Sequence, residues 1–137
     1  TESLRPEMER LRRVLESVAP ALVPASRPYR LTVDLDTDAQ HVVSLLDRGA
    51  HRVALAAYAG AVLPDSVAPG VEQVRASVSA ALREALIEDA SVDVLLAYAD
   101  TDEAADDAEV LRLCLELLPA RSPKRAGLVA RLDRLAP

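Results

Sequence analysis

Aromatic side chains are almost missing from this sequence. It has no Phe and no Trp, and Tyr29, Tyr58 and Tyr98 are its only aromatic residues. Aromatic and β-branched residues favour strands, whereas the Ala and Leu that dominate here favour helices. The scarcity points to a helical core of small and aliphatic side chains. Cysteine occurs once, at Cys114, which excludes an intramolecular disulfide and a cysteine-based zinc site. Gly49, Gly60, Gly70 and Gly127 are too scattered for a phosphate-cradling loop. No apolar run nears the roughly 18 residues of a membrane span, and the N-terminus lacks the apolar segment of a signal peptide. The expectation is a soluble cytoplasmic protein without a membrane partner. The sequence also opens on Thr1 rather than Met, as a piece of a longer chain would.

What is present is aliphatic and unevenly charged. The 137 residues suit one domain or one domain with an appendage, and half of them are hydrophobic. The net charge is −6. Residues 1–31 hold six Arg against four Glu, a balance of +2, and residues 32–137 hold ten cations against eighteen anions, a balance of −8. Polyanion binding needs local positive charge, so any nucleic-acid contact belongs to the first thirty residues. Fifteen of the sixteen cations are Arg, with Lys124 the exception. A compositional bias would also produce this.

Helical periodicity runs through most of the chain. Ser3 is a candidate cap for a first helix, with Pro6 in its first turn. Leu4, Met8, Leu11, Leu15 and Val18 share one face, and Arg5, Glu9, Arg12, Arg13 and Glu16 the opposite one. Pro20 ends that helix. "ALV" and "PYRLTV" are extended candidates around "PAS", which predicts a short β-hairpin. From Thr37 onward about six helices are expected, in antiparallel pairs. Thr37 caps "DAQHVVSLLDR", with Val42, Val43, Leu45 and Leu46 inward and Gly49 as the stop. "AHRVALAAYAG" ends at Gly60, and "AVLPDSVAPG" is a loop. "VEQVRASVSAALREALIED" carries an inner stripe of Val71, Val74, Val78, Leu82 and Ala85. Ser91 precedes "VDVLLAYA". Asp106 with Glu109 resembles a capping box opening "AEVLRLCLELL", a helix apolar almost all round and hence expected at the centre, with Leu111, Cys114, Leu115 and Leu118 in the core. Ser122 and Pro123 are the cap and first residue for "KRAGLVARLDRL".

No catalytic pattern emerges. The cluster Asp100, Asp102, Glu103, Asp106, Asp107 and Glu109 invites a calcium reading, but an EF-type loop needs Gly at its sixth position and Glu at its twelfth. Counted from Asp100 these positions are Ala105 and Leu111, so helix capping and dipole placement explain the cluster better. His41 and His51 fall on different helices with no ligand partners. No Ser lies in a nucleophile elbow. Cys114 reads as a buried thiol. The expectation is no enzyme activity, no metal and no cofactor.

The opening segment carries a resemblance. "ESLRPEMERLRRVLE" followed by "VPASRPYRL" is similar to the last helix and wing of an OmpR-type winged helix. The stretch from "YRLTVDLDTDAQHVVSLLDRGAHRVALAAYAG" through "VEQVRASVSAALREAL" resembles the bacterial transcriptional activator domain, a helical module found beside such DNA-binding domains. A similar arrangement occurs at the C-terminal ends of actinobacterial proteins with a GAF sensor domain. The resemblance implies a winged-helix remnant over 1–32 and a TPR-like or bundled helical interaction module over 33–137. It implies DNA-facing roles for Arg5, Arg12, Arg13 and Arg27. The sheet and two helices that precede the recognition helix in that family are missing from this sequence, and Glu7, Glu9 and Glu16 dilute the positive face, so DNA contact should be weak. The expected function is non-enzymatic: the C-terminal region of a transcriptional regulator or sensor-coupled signalling protein. It would act through a protein partner or another domain of the same regulator, with a homodimer through the first helix as one option. The alternative is a structural or oligomerisation module whose winged-helix remnant does not bind DNA.

Overall fold

The structure, a computed structural model, describes residues 4–136. The candidate cap Ser3 lies outside the described residues. Seven α-helices appear among them: α1 (Leu4–Val18), α2 (Asp38–Asp47), α3 (His51–Ala57), α4 (Pro69–Asp89), α5 (Val92–Ala99), α6 (Ala108–Leu117) and α7 (Lys124–Leu135). The protein is mainly α-helical. The chain divides into two compact units, Thr1–Asp36 and Thr37–Pro137.

In the first unit, α1 runs into a 3₁₀ turn at Pro20–Leu22. The expected hairpin does not form. One antiparallel bridge, Ala25 with Arg30, is all that the described residues show in place of strands. Two backbone bonds close it, Ala25 N–H to Arg30 O at 2.8 Å and Arg30 N–H to Ala25 O at 3.2 Å. The next hydrogen-bonded pair of an antiparallel ladder would be Val23 with Thr32. It does not form, because the N–H of Val23 is committed to Pro20 O, inside the 3₁₀ turn that "ALV" adopts instead of a strand. No residue of α1 is buried. Met8 and Leu15 are half-buried, while Leu4, Leu11, Val14 and Val18 are exposed.

Among the described residues the buried hydrophobic core, from Val42 to Leu128, lies in the second unit, and Pro24 is buried in the first. α2 packs on α3 and α4, α3 on α4 and α5, α5 on α4 and α6, and α6 on α7. Leu82, Leu86, Leu95 and Leu111 are fully buried, and fully buried Ala54, Ala99 and Ala104 let neighbouring helices approach closely. Thr37 forms a capping box with Gln40, as its position before an apolar-periodic run requires. Gly49, at φ 68°, ends α2 in the left-handed conformation that favours glycine.

Several local expectations shift. α3 stops at Ala57, before Gly60, and α4 starts at Pro69, so the intervening loop is shorter at its C-terminal end than the two prolines and Gly70 suggest. On α4 the buried positions are Val78, Leu82 and Leu86, whereas Val74 is 48% exposed. Ser91 occupies the cap position of α5 without a side-chain capping bond. The cap of α6 is Asp107, not Asp106, and its carboxylate accepts from the N–H groups of Glu109 and Val110. Pro123 is the residue before α7, with no side-chain capping bond, and the Ser122 carbonyl accepts from the Arg125 N–H. α6 is amphipathic: Val110, Leu111 and Cys114 are buried, but Arg112, Glu116 and Leu117 face outward. Leu118 is buried and Leu115 is half-buried against the core.

Candidate interaction surfaces

In the first unit the turn over residues 26–29 and one side of α1 enclose an open cleft of about 440 Å³. Arg5, Arg12 and Arg27 line it together with Glu9, Ser26 and Tyr29, so three of the four predicted DNA-facing arginines share one site. Arg13 is exposed on α1 and does not line the cleft. Arg27 enters from a left-handed backbone, φ 73°. Arg12 donates Nη2 to the carbonyl of Pro24 at 3.2 Å, which fastens the turn to the helix. The positive charge is partly neutralised: Arg5 lies 3.8 Å from Glu9, and Arg10 lies 3.4 Å from Glu7.

In the second unit, polar side chains serve as fasteners between helices. Arg83 of α4 binds Asp107 at 2.7 Å and Glu109 at 2.5 Å. The Arg83 bond holds the Asp107 carboxyl below its ordinary pKa, against the opposing effect of burial. The same two acids raise the pKa of Arg83. Arg131 of α7 reaches Asp100 at 3.0 Å and the carbonyls of Ala99 and Ala105. Arg125 donates to the carbonyls of Leu115 and Leu118, at the C-terminal end of α6. The Tyr58 hydroxyl donates to Glu103 at 2.5 Å, with Ser79 3.2 Å from both. Burial, reinforced by Glu103, pushes the Tyr58 pKa up to about 12. Four of the six acids of the cluster, Asp100, Glu103, Asp107 and Glu109, are therefore engaged by arginines, a tyrosine or a helix cap, while Asp102 and Asp106 are exposed. Cys114 is buried, and burial raises its thiol pKa.

The remaining distinctive feature is the loop between α3 and α4. Arg75 binds four of its carbonyls: Val62 at 2.9 Å, Leu63 at 2.8 Å, Pro64 at 3.3 Å and Ser66 at 2.6 Å. This holds Leu63 at φ 43°, a conformation that costs a branched side chain energy. Beside the loop lies an apolar groove of about 390 Å³, with Val42 and Val78 at its base and Leu63 and Val74 at its edge. Sequence reasoning placed Arg75 only as off the inner stripe of α4. The available signal was its position on the same flank as Arg83, eight residues away, facing a loop whose carbonyls lack helical partners.

These features define a mainly helical protein whose polar side chains hold helices together and whose open surfaces are a basic cleft and an apolar groove. Residues 91–136, spanning α5 to α7, match the family described as YTH3-like protein, third C-terminal helical domain. The chain is also 35% identical over 133 residues to a protein of Rhodococcus erythropolis described as an uncharacterized 47.3 kDa protein in the thcA 5′ region. That alignment covers 97% of this chain and 30% of the relative, so the chain spans less than a third of that protein's length. No solved structure matches the chain. No helix among the described residues is long and apolar enough to cross a membrane.

Proposed function

We propose that the chain is a non-enzymatic interaction region of a bacterial transcriptional regulator or sensor-coupled signalling protein, in the manner of a TPR-like activator module. The single observation that carries this reading is the apolar stripe of α1, with Leu4, Leu11, Val14 and Val18 exposed at 63, 43, 56 and 72%. Stripes of that kind on a polar helix mark contact surfaces. Supporting it, each second-unit helix packs on its sequence neighbours, as stacked helical hairpins do. The partner is a protein, another domain of the same regulator, or a second copy meeting along α1.

The test is transcriptional. Leu11→Glu in the whole protein should reproduce the transcript changes caused by deleting these 137 residues, with circular dichroism of the purified chain unchanged. A deletion without transcriptional effect overturns the reading. Sedimentation of wild type beside Leu11→Glu identifies self-pairing, which predicts a dimer only for the wild type. The neutralisation of Arg5 and Arg10 by Glu9 and Glu7 favours the second reading, an oligomerisation module that leaves DNA alone. That reading predicts the wild-type dimer without any change in transcripts.

A further inference from the structure

We propose that the apolar groove of the second unit is a docking site for a cationic amphipathic helix of a partner protein. The proposal rests on the protein-contact reading above and names the chemistry of one such contact. Three observations on the groove carry it.

The groove is preformed. Arg75 holds four loop carbonyls and keeps Leu63 in its left-handed conformation, 63% exposed at the groove edge. Val74 beside it is 48% exposed, and Val67 in the same loop is 84% exposed. Leu63 and Val74 thus present apolar side chains together along one edge of the groove, where a partner would cover them. A volume of about 390 Å³ accommodates a few side chains rather than a domain face.

The occupant must satisfy its own backbone. A strand would need free carbonyls along the edge, but those of Val62, Leu63, Pro64 and Ser66 accept from Arg75, and the Ser66 N–H is bonded to Leu63 O. The described residues offer no strand for a peptide to extend. A helix needs no such edge and presents anchors at i, i+3, i+4 and i+7.

The charge around the groove is net negative. Asp38 is the only charged residue lining the groove. Asp65 stands in the loop and Glu72 in the first turn of α4, both exposed. Arg75 keeps its positive charge, but its guanidinium is turned into the loop carbonyls, and the three acids outnumber it. Lysine or arginine flanking the apolar anchors would meet these acids, and an acidic helix would be repelled.

The probe is a fluorescein-labelled 14-residue Leu–Lys peptide with leucines at i, i+3, i+4 and i+7, titrated with the full chain and read by anisotropy. A Leu–Glu peptide of the same pattern is the comparison. Saturable one-to-one binding of the Leu–Lys peptide is expected, weakened about 5–10-fold by Leu63→Asn and by Val74→Ser. Asn tolerates the left-handed backbone, so Leu63→Asn keeps the loop folded and carries the test even if Val74→Ser does not fold. Val53→Ser, a change at a residue 55% exposed on α3 and outside the groove, should leave binding unchanged. Absence of binding, equal binding of both peptides, or binding indifferent to Leu63→Asn overturns the proposal. If the groove fails in this way while Leu11→Glu still alters transcripts, the protein-contact reading stands and only this site is removed.

Discussion

Asp107 performs two tasks with one carboxylate: it caps α6 and anchors Arg83. Asn caps a helix about as well as Asp but cannot form the ion pair. Asp107→Asn should therefore cost less than Asp107→Ala, with a difference on the order of 1 kcal/mol in urea denaturation. The ion pair lowers the folded-state pKa. Its contribution is complete above the unfolded carboxyl value, about 3.9, and is lost as pH falls through the lower folded value. The gap between wild type and Asp107→Asn should accordingly close in acid. A gap constant from pH 7 down to pH 2 would show that Arg83 contributes nothing through this pair. Nearby, Leu111 is fully buried while Leu115 is half-buried, so Leu111→Ala should cost about 2–5 kcal/mol and Leu115→Ala less. Cys114 should label slowly with a thiol reagent until the protein unfolds, since it is buried and burial raises its pKa. Fast native labelling would contradict that packing.

At the scale of elements, α4 is the organiser of the second unit. Its inner positions Val78, Leu82 and Leu86 are core, and its flank carries Arg75 toward one loop and Arg83 toward the acidic segment before α6. Removing the Arg75 guanidinium leaves four loop carbonyls to water. With Arg75→Met, hydrogen exchange of the Ser66 N–H, which bonds Leu63 O across the loop, should accelerate by at least tenfold while amides of α6 stay protected. Equal protection of Ser66 in both proteins would show that the loop holds its shape without Arg75. α1 contrasts with α4: it is amphipathic but has no buried residue, so packing contributes less to its helicity than in the second unit.

At the scale of the whole molecule, charge sets the limits. The −6 net charge combines a +2 opening segment with a −8 remainder. Neutralising several phosphates at once requires more unpaired cations than Arg5, Arg12 and Arg27 in one cleft with Glu9. The chain should bind random duplex DNA weakly, with anisotropy showing an affinity no tighter than micromolar at physiological salt and a shallow salt slope. Sub-micromolar binding to random duplex would overturn this expectation and revive a direct DNA role for the cleft.

The sequence by itself determined the helices of the second unit, because Ala and Leu at helical spacing leave little else for the chain to form, and Thr37 and Gly49 mark the ends of α2 chemically. It also determined that Leu111, Cys114 and Leu118 would be buried. The outcome at "VPASRPYRL" was not legible in the same way: extended propensity suggested two strands, but the 3₁₀ turn takes the Val23 N–H that the next ladder pair needs, leaving one bridge. The convergence of Arg5, Arg12 and Arg27 depended on that turn folding onto α1, while Arg13, equally basic in sequence, stayed outside the cleft. Only the tertiary structure decided the partners of Arg75, Arg83, Arg125 and Arg131, because a long side chain on a helix flank can reach many acceptors and helix packing selects among them. It likewise decided that Val74, on the same periodic stripe as Val78, stands at the edge of a groove. Periodicity specifies the face of a helix, but the point along that face where the neighbouring helix ends is set by packing.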